Sequence, residues 1–129
     1  MFNSHILFVV LALSAPQVAH AEEVKAQPVT IEEKIDFYSN KYKVSRETVS
    51  KVVQCESSKN PDAVGDSGHS FGIAQFYLPA GNKTVDGRVM TKEMALDPDV
   101  ALDTLAYYLS TGKARKWTCA RMLGLAKDV

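Results

Sequence analysis

Charge of one sign is not in excess, since Lys plus Arg and Asp plus Glu number 15 each. That balance excludes the broad positive field with which nucleic-acid binders collect phosphates, so no nucleic-acid partner is expected. Cysteine is scarce: Cys55 and Cys119 are the two present, and with three scattered histidines they form no zinc-ligand spacing. No metal and no cofactor are expected. Repeats and low-complexity tracts are absent, which excludes solenoids and sticky linkers. At 129 residues and 46% hydrophobic composition, the chain has material for one core and none for a second domain.

Long hydrophobic runs are also lacking. The longest one, Ile6 to Leu13, is too short to cross a bilayer as a permanent helix. With the small-residue site Ala19-His20-Ala21 behind it, residues 1–21 read as a signal peptide, although no Lys or Arg precedes the apolar run. The competing reading is an uncleaved membrane tether; with cleavage, no stable membrane insertion remains. Both readings place the rest of the chain outside the cytoplasm. In that compartment two cysteines form a disulfide more often than they stay reduced, and two buried free thiols are the alternative. A bridge closing so long a loop stabilises by about 4 kcal/mol.

What is there begins with a short polar lead-in over 22–29, followed by a folded part over 30–129. Thr30 and Glu33 make a capping box, and Ile31, Ile35, Phe37, Tyr38 and Tyr42 follow mostly at helical spacing. Ser45 caps a second helix that buries Val49, Val52, Val53 and Cys55, with Val44 stapling its start and Glu56 arriving at its end. Ser57 to Ser70 is rich in turn formers and reads as a loop or small hairpin. A short helix is expected over Ile73 to Leu78, stopped by Pro79 and Gly81, and then irregular chain from Asn82 to Leu96. Asp97-Pro98 starts a helix with Val100, Ala101, Leu105, Ala106, Tyr108 and Leu109 inward, and a last helix covers Arg115 to Leu123. The class is mainly α, a small helical bundle around one loop-lined cleft.

The informative stretch runs from Cys55 to Phe76. Glu56-Ser57, Asn60-Pro61, Ala63, Gly68, Ser70, Gly72, Ile73 and Gln75 stand in the order of the lytic transglycosylase signature, with His69 loosening one spacing. The chain therefore resembles the lytic transglycosylases of the SLT-domain family, which are similar to goose-type lysozyme. The resemblance covers Val44 to about Leu123 and implies a lysozyme-like helical domain with a loop or short hairpin beside the catalytic cleft.

It also implies an enzyme, a lyase of peptidoglycan that cuts the MurNAc-GlcNAc β-1,4 bond and leaves a 1,6-anhydro sugar, with Glu56 as acid and then base. Independently, a carboxylate ending an apolar helix face beside Cys55 is expected to be partly desolvated, which raises its pKa and suits a general acid. Following the family pattern, Ser57 and Gln75 are expected to hydrogen-bond near the sugars, or Gln75 to hold the loop. Gly72 is expected to let the protein backbone approach the glycan or to turn tightly. Phe76, Tyr77, Tyr107, Tyr108 and Trp117 are either stacking walls for sugar rings or core.

Hydrolysis would need a second carboxylate, for which Asp66 is the nearest candidate. Where the family carries a Tyr-Asn-Ala-Gly segment, this chain has Lys116-Trp117-Thr118-Cys119-Ala120-Arg121, without tyrosine. That departure leaves a lysozyme-type hydrolase and an inactive peptidoglycan-binding module as alternatives. Cys119 in that segment suggests a bridge to Cys55 that pins the last helix against the catalytic one. The expected partner is the peptidoglycan glycan strand, acted on by a monomer in the periplasm or after secretion; small exported relatives often serve envelope-spanning secretion machines.

Overall fold

The structure is a computed structural model that describes residues 12–17 and 26–125. The Ala19-His20-Ala21 site and most of the apolar run before it lie outside the described residues. Among the described residues, no helix is long and apolar enough to cross a membrane.

Five helices and a three-stranded antiparallel sheet make up the domain. The first helix, α1 (Ile31–Tyr42), starts with the expected capping box: the Glu33 N–H donates to Thr30 Oγ1 and the Thr30 N–H donates to Glu33 Oε2. Ser45 caps α2 (Arg46–Ser57), which buries Val49, Val52 and Val53. Asp97 caps α4 (Pro98–Ser110), accepting from the N–H groups of Asp99 and Val100, and Pro98 sits where its missing N–H costs nothing. Ala101, Leu102, Leu105 and Ala106 of α4 are fully buried, so this helix is the central one; α1 packs along it and α2 packs on α1.

The hairpin region resolves into three two-residue strands. Antiparallel pairing joins β1 (Val64–Gly65) to β2 (Ser70–Phe71), Val64 opposite Phe71, and β2 to β3 (Phe76–Tyr77), Phe71 opposite Phe76. This corrects the helix expected over Ile73 to Leu78. Gly72 and Gln75 both adopt positive φ, at 80° and 49°, which reverses the chain and turns Phe76 and Tyr77 back along β2. The stretch from Asn82 to Leu96 is likewise less irregular than expected, because Thr91 Oγ1 accepts from the Met94 N–H and caps a short helix, α3 (Lys92–Leu96).

The expected last helix is divided. A 3-10 turn, Ala114–Lys116, precedes α5 (Thr118–Met122), and Trp117 between them is extended. Its indole N–H donates 2.8 Å to the Ala74 carbonyl, so a buried tertiary bond sets the break. Cys55, expected on the buried side of α2, is exposed at its end, and Phe37 is exposed beside Tyr38.

Candidate active site

A cavity of about 710 Å³ opens between the end of α2, the sheet and the segment after α4. Glu56, Asp66, Gln75, Tyr77, Lys116 and Arg121 are among its lining residues. Glu56 stands there because α2 ends one residue later in a left-handed cap at Ser58, where the Ser58 and Lys59 N–H groups return to the Gln54 and Val53 carbonyls. Ser57 Oγ donates to the Val53 carbonyl and, at 2.7 Å, to the Ile73 carbonyl. That side chain ties the helix end to the turn before β3, and Ser57 is not among the cavity-lining residues.

Glu56 is half-buried, and its Oε1 accepts a hydrogen bond from the Cys119 backbone N–H at 3.2 Å. Burial is the largest influence on the carboxyl and raises its pKa above the ordinary glutamate value. The Cys119 hydrogen bond opposes that rise, the Asp66 charge adds to it, and the Arg121 charge opposes it. The net direction is upward, toward a carboxyl that keeps its proton to higher pH.

Asp66 opens a 3-10 turn, Asp66–Gly68, in the loop between β1 and β2, and its carboxylate accepts from the Ser70 hydroxyl. Asp66 and Ser67 are both left-handed. The fold therefore brings Asp66 into the cavity that holds Glu56. Gln75 also reaches the cavity, but its Nε2 donates to the Ala63 and Gly72 carbonyls at 3.2 and 2.9 Å, knitting the loop from inside. Its Oε1 lies against Gly65, where an added Cβ would come within 2.3 Å.

Gly72 makes the tight turn that was one of its two expected roles, and it also allows a close approach. A Cβ there would stand 1.7 Å from the Ala95 carbonyl oxygen of α3, so the glycine lets the sheet turn pack on that helix. Phe76 borders the cavity but is 1% exposed and meets Trp117 edge to face at 5.6 Å, so its ring is packed in the core. Tyr108 and Trp117 are buried in the same aromatic cluster. The adjacent Tyr77, 46% exposed with His69 edge-on at 6.3 Å, is the aromatic ring open to the cavity.

The segment that stands where the family carries Tyr-Asn-Ala-Gly also reaches the cavity. Lys116, Thr118 and Arg121 of that segment line it, a role for these three side chains that the sequence did not reveal. Cys119 belongs to the same segment and is joined to Cys55 in a disulfide. Cys119 is buried while Cys55 is exposed, so the bridge crosses from the surface of α2 into the base of α5.

Against known families, the model of the transglycosylase SLT domain matches residues 33–118. The chain belongs to the SLT transglycosylase family. Curated proteins and solved structures gave no match. Within this SLT domain the matched span runs from the first turn of α1 to the start of α5 and includes Glu56, Asp66, Gln75 and Trp117. Cys119 and Arg121 lie just beyond it. Family membership supports a peptidoglycan-related function of the lytic transglycosylase type for the chain.

Proposed function

We propose that this SLT domain is a peptidoglycan lytic transglycosylase that cleaves the MurNAc-GlcNAc β-1,4 bond, with Glu56 as its catalytic residue. The observation that carries the reading is the half-buried Glu56 carboxyl, raised in pKa mainly by burial and standing in a groove beside the family motif. A carboxyl with a raised pKa keeps its proton to higher pH and can donate it to the glycosidic oxygen as that oxygen leaves the anomeric carbon. The Glu56 carboxylate so formed takes the proton of the muramic C6 hydroxyl. The C6 oxygen then bonds to the anomeric carbon, and the 1,6-anhydro ring closes without water.

The Cys119 N–H supports the second half of this cycle, because a donor at 3.2 Å stabilises the ionised carboxylate between the two proton transfers. Tyr77 offers a ring face on which a sugar stacks at the groove edge. Gln75 acts as a loop brace whose other face meets the ligand. The disulfide fits an exported protein, periplasmic or secreted, acting as a monomer on glycan strands and serving, in this reading, an envelope-spanning machine.

A second reading, hydrolysis of the same bond, is favoured by Asp66, which lines the same groove and whose charge acts on Glu56. Incubating the oxidised chain and its Glu56→Gln variant with purified peptidoglycan, and weighing the soluble muropeptides, separates the two. Products one water lighter than hydrolysis gives, absent with the variant, are expected. Hydrated, reducing products would move the assignment to hydrolysis with Asp66, and a folded protein that binds peptidoglycan without products would be a binding module.

A further inference from the structure

The cleft is lined by side chains of both charges. Glu56 and Asp66 come from α2 and the β1–β2 loop, while Lys116 and Arg121 come from the segment after α4. Elsewhere the fold neutralises many of its cations: Lys34 and Lys41 pair with Asp99 and Asp103 across α1 and α4, Arg46 and Lys59 with Glu32, and Arg88 with Asp86. Among the described residues, neither Lys116 nor Arg121 forms an ion pair.

Both are nevertheless held in place, and by neutral groups. Lys116 Nζ donates 3.0 Å to Asn82 Oδ1 and lies 5.1 Å from the centre of the Tyr108 ring. Arg121 Nη1 donates 2.5 Å to the Arg115 carbonyl, and Nη2 donates 3.0 Å to Thr118 Oγ1. Amide, carbonyl, hydroxyl and ring fix the two cations without cancelling them, and each keeps spare donors. A cation fixed in position gives up less side-chain freedom on meeting an anion than a mobile one does.

We propose that Lys116 and Arg121 are specificity-determining residues that receive a carboxylate carried by the muramyl residue, so that the cleft prefers acid-bearing glycan to neutral glycan. The inference rests on the glycan reading of the cleft. N-acetylated sugar rings are neutral, so they offer the two cations hydrogen-bond acceptors but no opposite charge. Negative charge on such a strand resides in the muramyl substituent, either on its attached peptide or, where the peptide has been removed, on the freed lactyl carboxylate. Arg121 also pulls the Glu56 pKa down, but that influence leaves Lys116 without a role.

The test is calorimetric binding to the full-length Glu56→Gln protein, which does not consume its ligands. Three tetrasaccharides are compared: a neutral one of N-acetylglucosamine, a muramyl one bearing peptides, and the same one stripped to its lactyl carboxylates. The acidic ligands are expected to bind more tightly than the neutral one by roughly fivefold for each cation engaged, less so in high salt. Adding Lys116→Gln and Arg121→Gln is expected to abolish the preference, and Lys116→Arg to keep most of it. Tight binding of the stripped ligand assigns the carboxylate to the lactyl group, and tight binding of the peptide-bearing one alone assigns it to the peptide. Equal affinity for neutral and acidic ligands, or a preference that survives the double substitution, would overturn the proposal while leaving the glycan reading intact. Failure of all three to bind would remove both. Binding with the expected preference, but no product from the wild-type chain on peptidoglycan, would remove the catalytic reading alone.

Discussion

Glu56 and Cys119 meet through the backbone: the Glu56 carboxylate accepts the Cys119 N–H at 3.2 Å, while the Cys119 side chain is bonded to Cys55, the residue before Glu56. Helix α5 is five residues long and has no side-chain cap of its own, so this double attachment to α2 is a main constraint on where its first N–H groups point. The donor that reaches the Glu56 carboxylate from this segment is a main-chain amide.

Replacing both cysteines with serine should therefore lower stability and activity together. Releasing a loop of 64 residues is expected to cost about 4 kcal/mol, and the Glu56 donor loses its fixed position. Thermal melts and muropeptide release, with and without reductant, read the two effects. An unchanged melt and rate after reduction would show that core packing alone holds α5.

Glu56 itself should weaken the native state near neutral pH. Its folded pKa is raised, so its contribution to stability is whole below the unfolded carboxyl pKa and is lost as pH rises through the folded value. Glu56→Gln is expected to melt a few degrees above wild type at neutral pH and level with it in acid, while turnover falls by roughly a thousandfold or more. A variant melting lower at every pH would mean that the carboxylate is a structural brace.

Asp66→Asn removes a charge that raises the Glu56 pKa, so the alkaline limb of the rate profile, where the general acid loses its proton, should move to lower pH. If Asp66 acts only through its charge, the rate in acid stays within about tenfold of wild type. A loss of about a thousandfold at every pH would make it a reacting group.

Gly72→Ala should be among the most damaging single methyl additions. The backbone is left-handed at φ 80°, and the new Cβ would stand 1.7 Å from a carbonyl oxygen of α3. A loss on the order of 3 kcal/mol is expected in urea melts. An unchanged midpoint would mean that the turn moves off α3 at no cost.

Much of this was legible in the sequence because it is local. Thr30 with Glu33, Ser45, and Asp97-Pro98 each carry the chemistry that starts a helix within a few residues, and apolar spacing then fixes which faces go inward. The motif from Glu56 to Gln75 similarly announced a family that the match over residues 33–118 bears out. What failed was the stretch from Ile73 to Leu78, where apolar residues in a row suit a buried strand as well as a helix, and the left-handed turn at Gln75 decided for the strand.

By itself the sequence determined a mainly helical domain, its helix starts and a family motif ending in a buried turn, since caps, periodicity and spacing act over a few residues. The tertiary structure alone decided that Gly72 packs on α3, that Phe76 is core while Tyr77 is open, and that Lys116 and Arg121 line the cavity that holds Glu56. Those outcomes depend on contacts between segments far apart in the chain, such as the 63 residues separating Glu56 from Cys119. No local preference encodes the direction from which such a partner arrives.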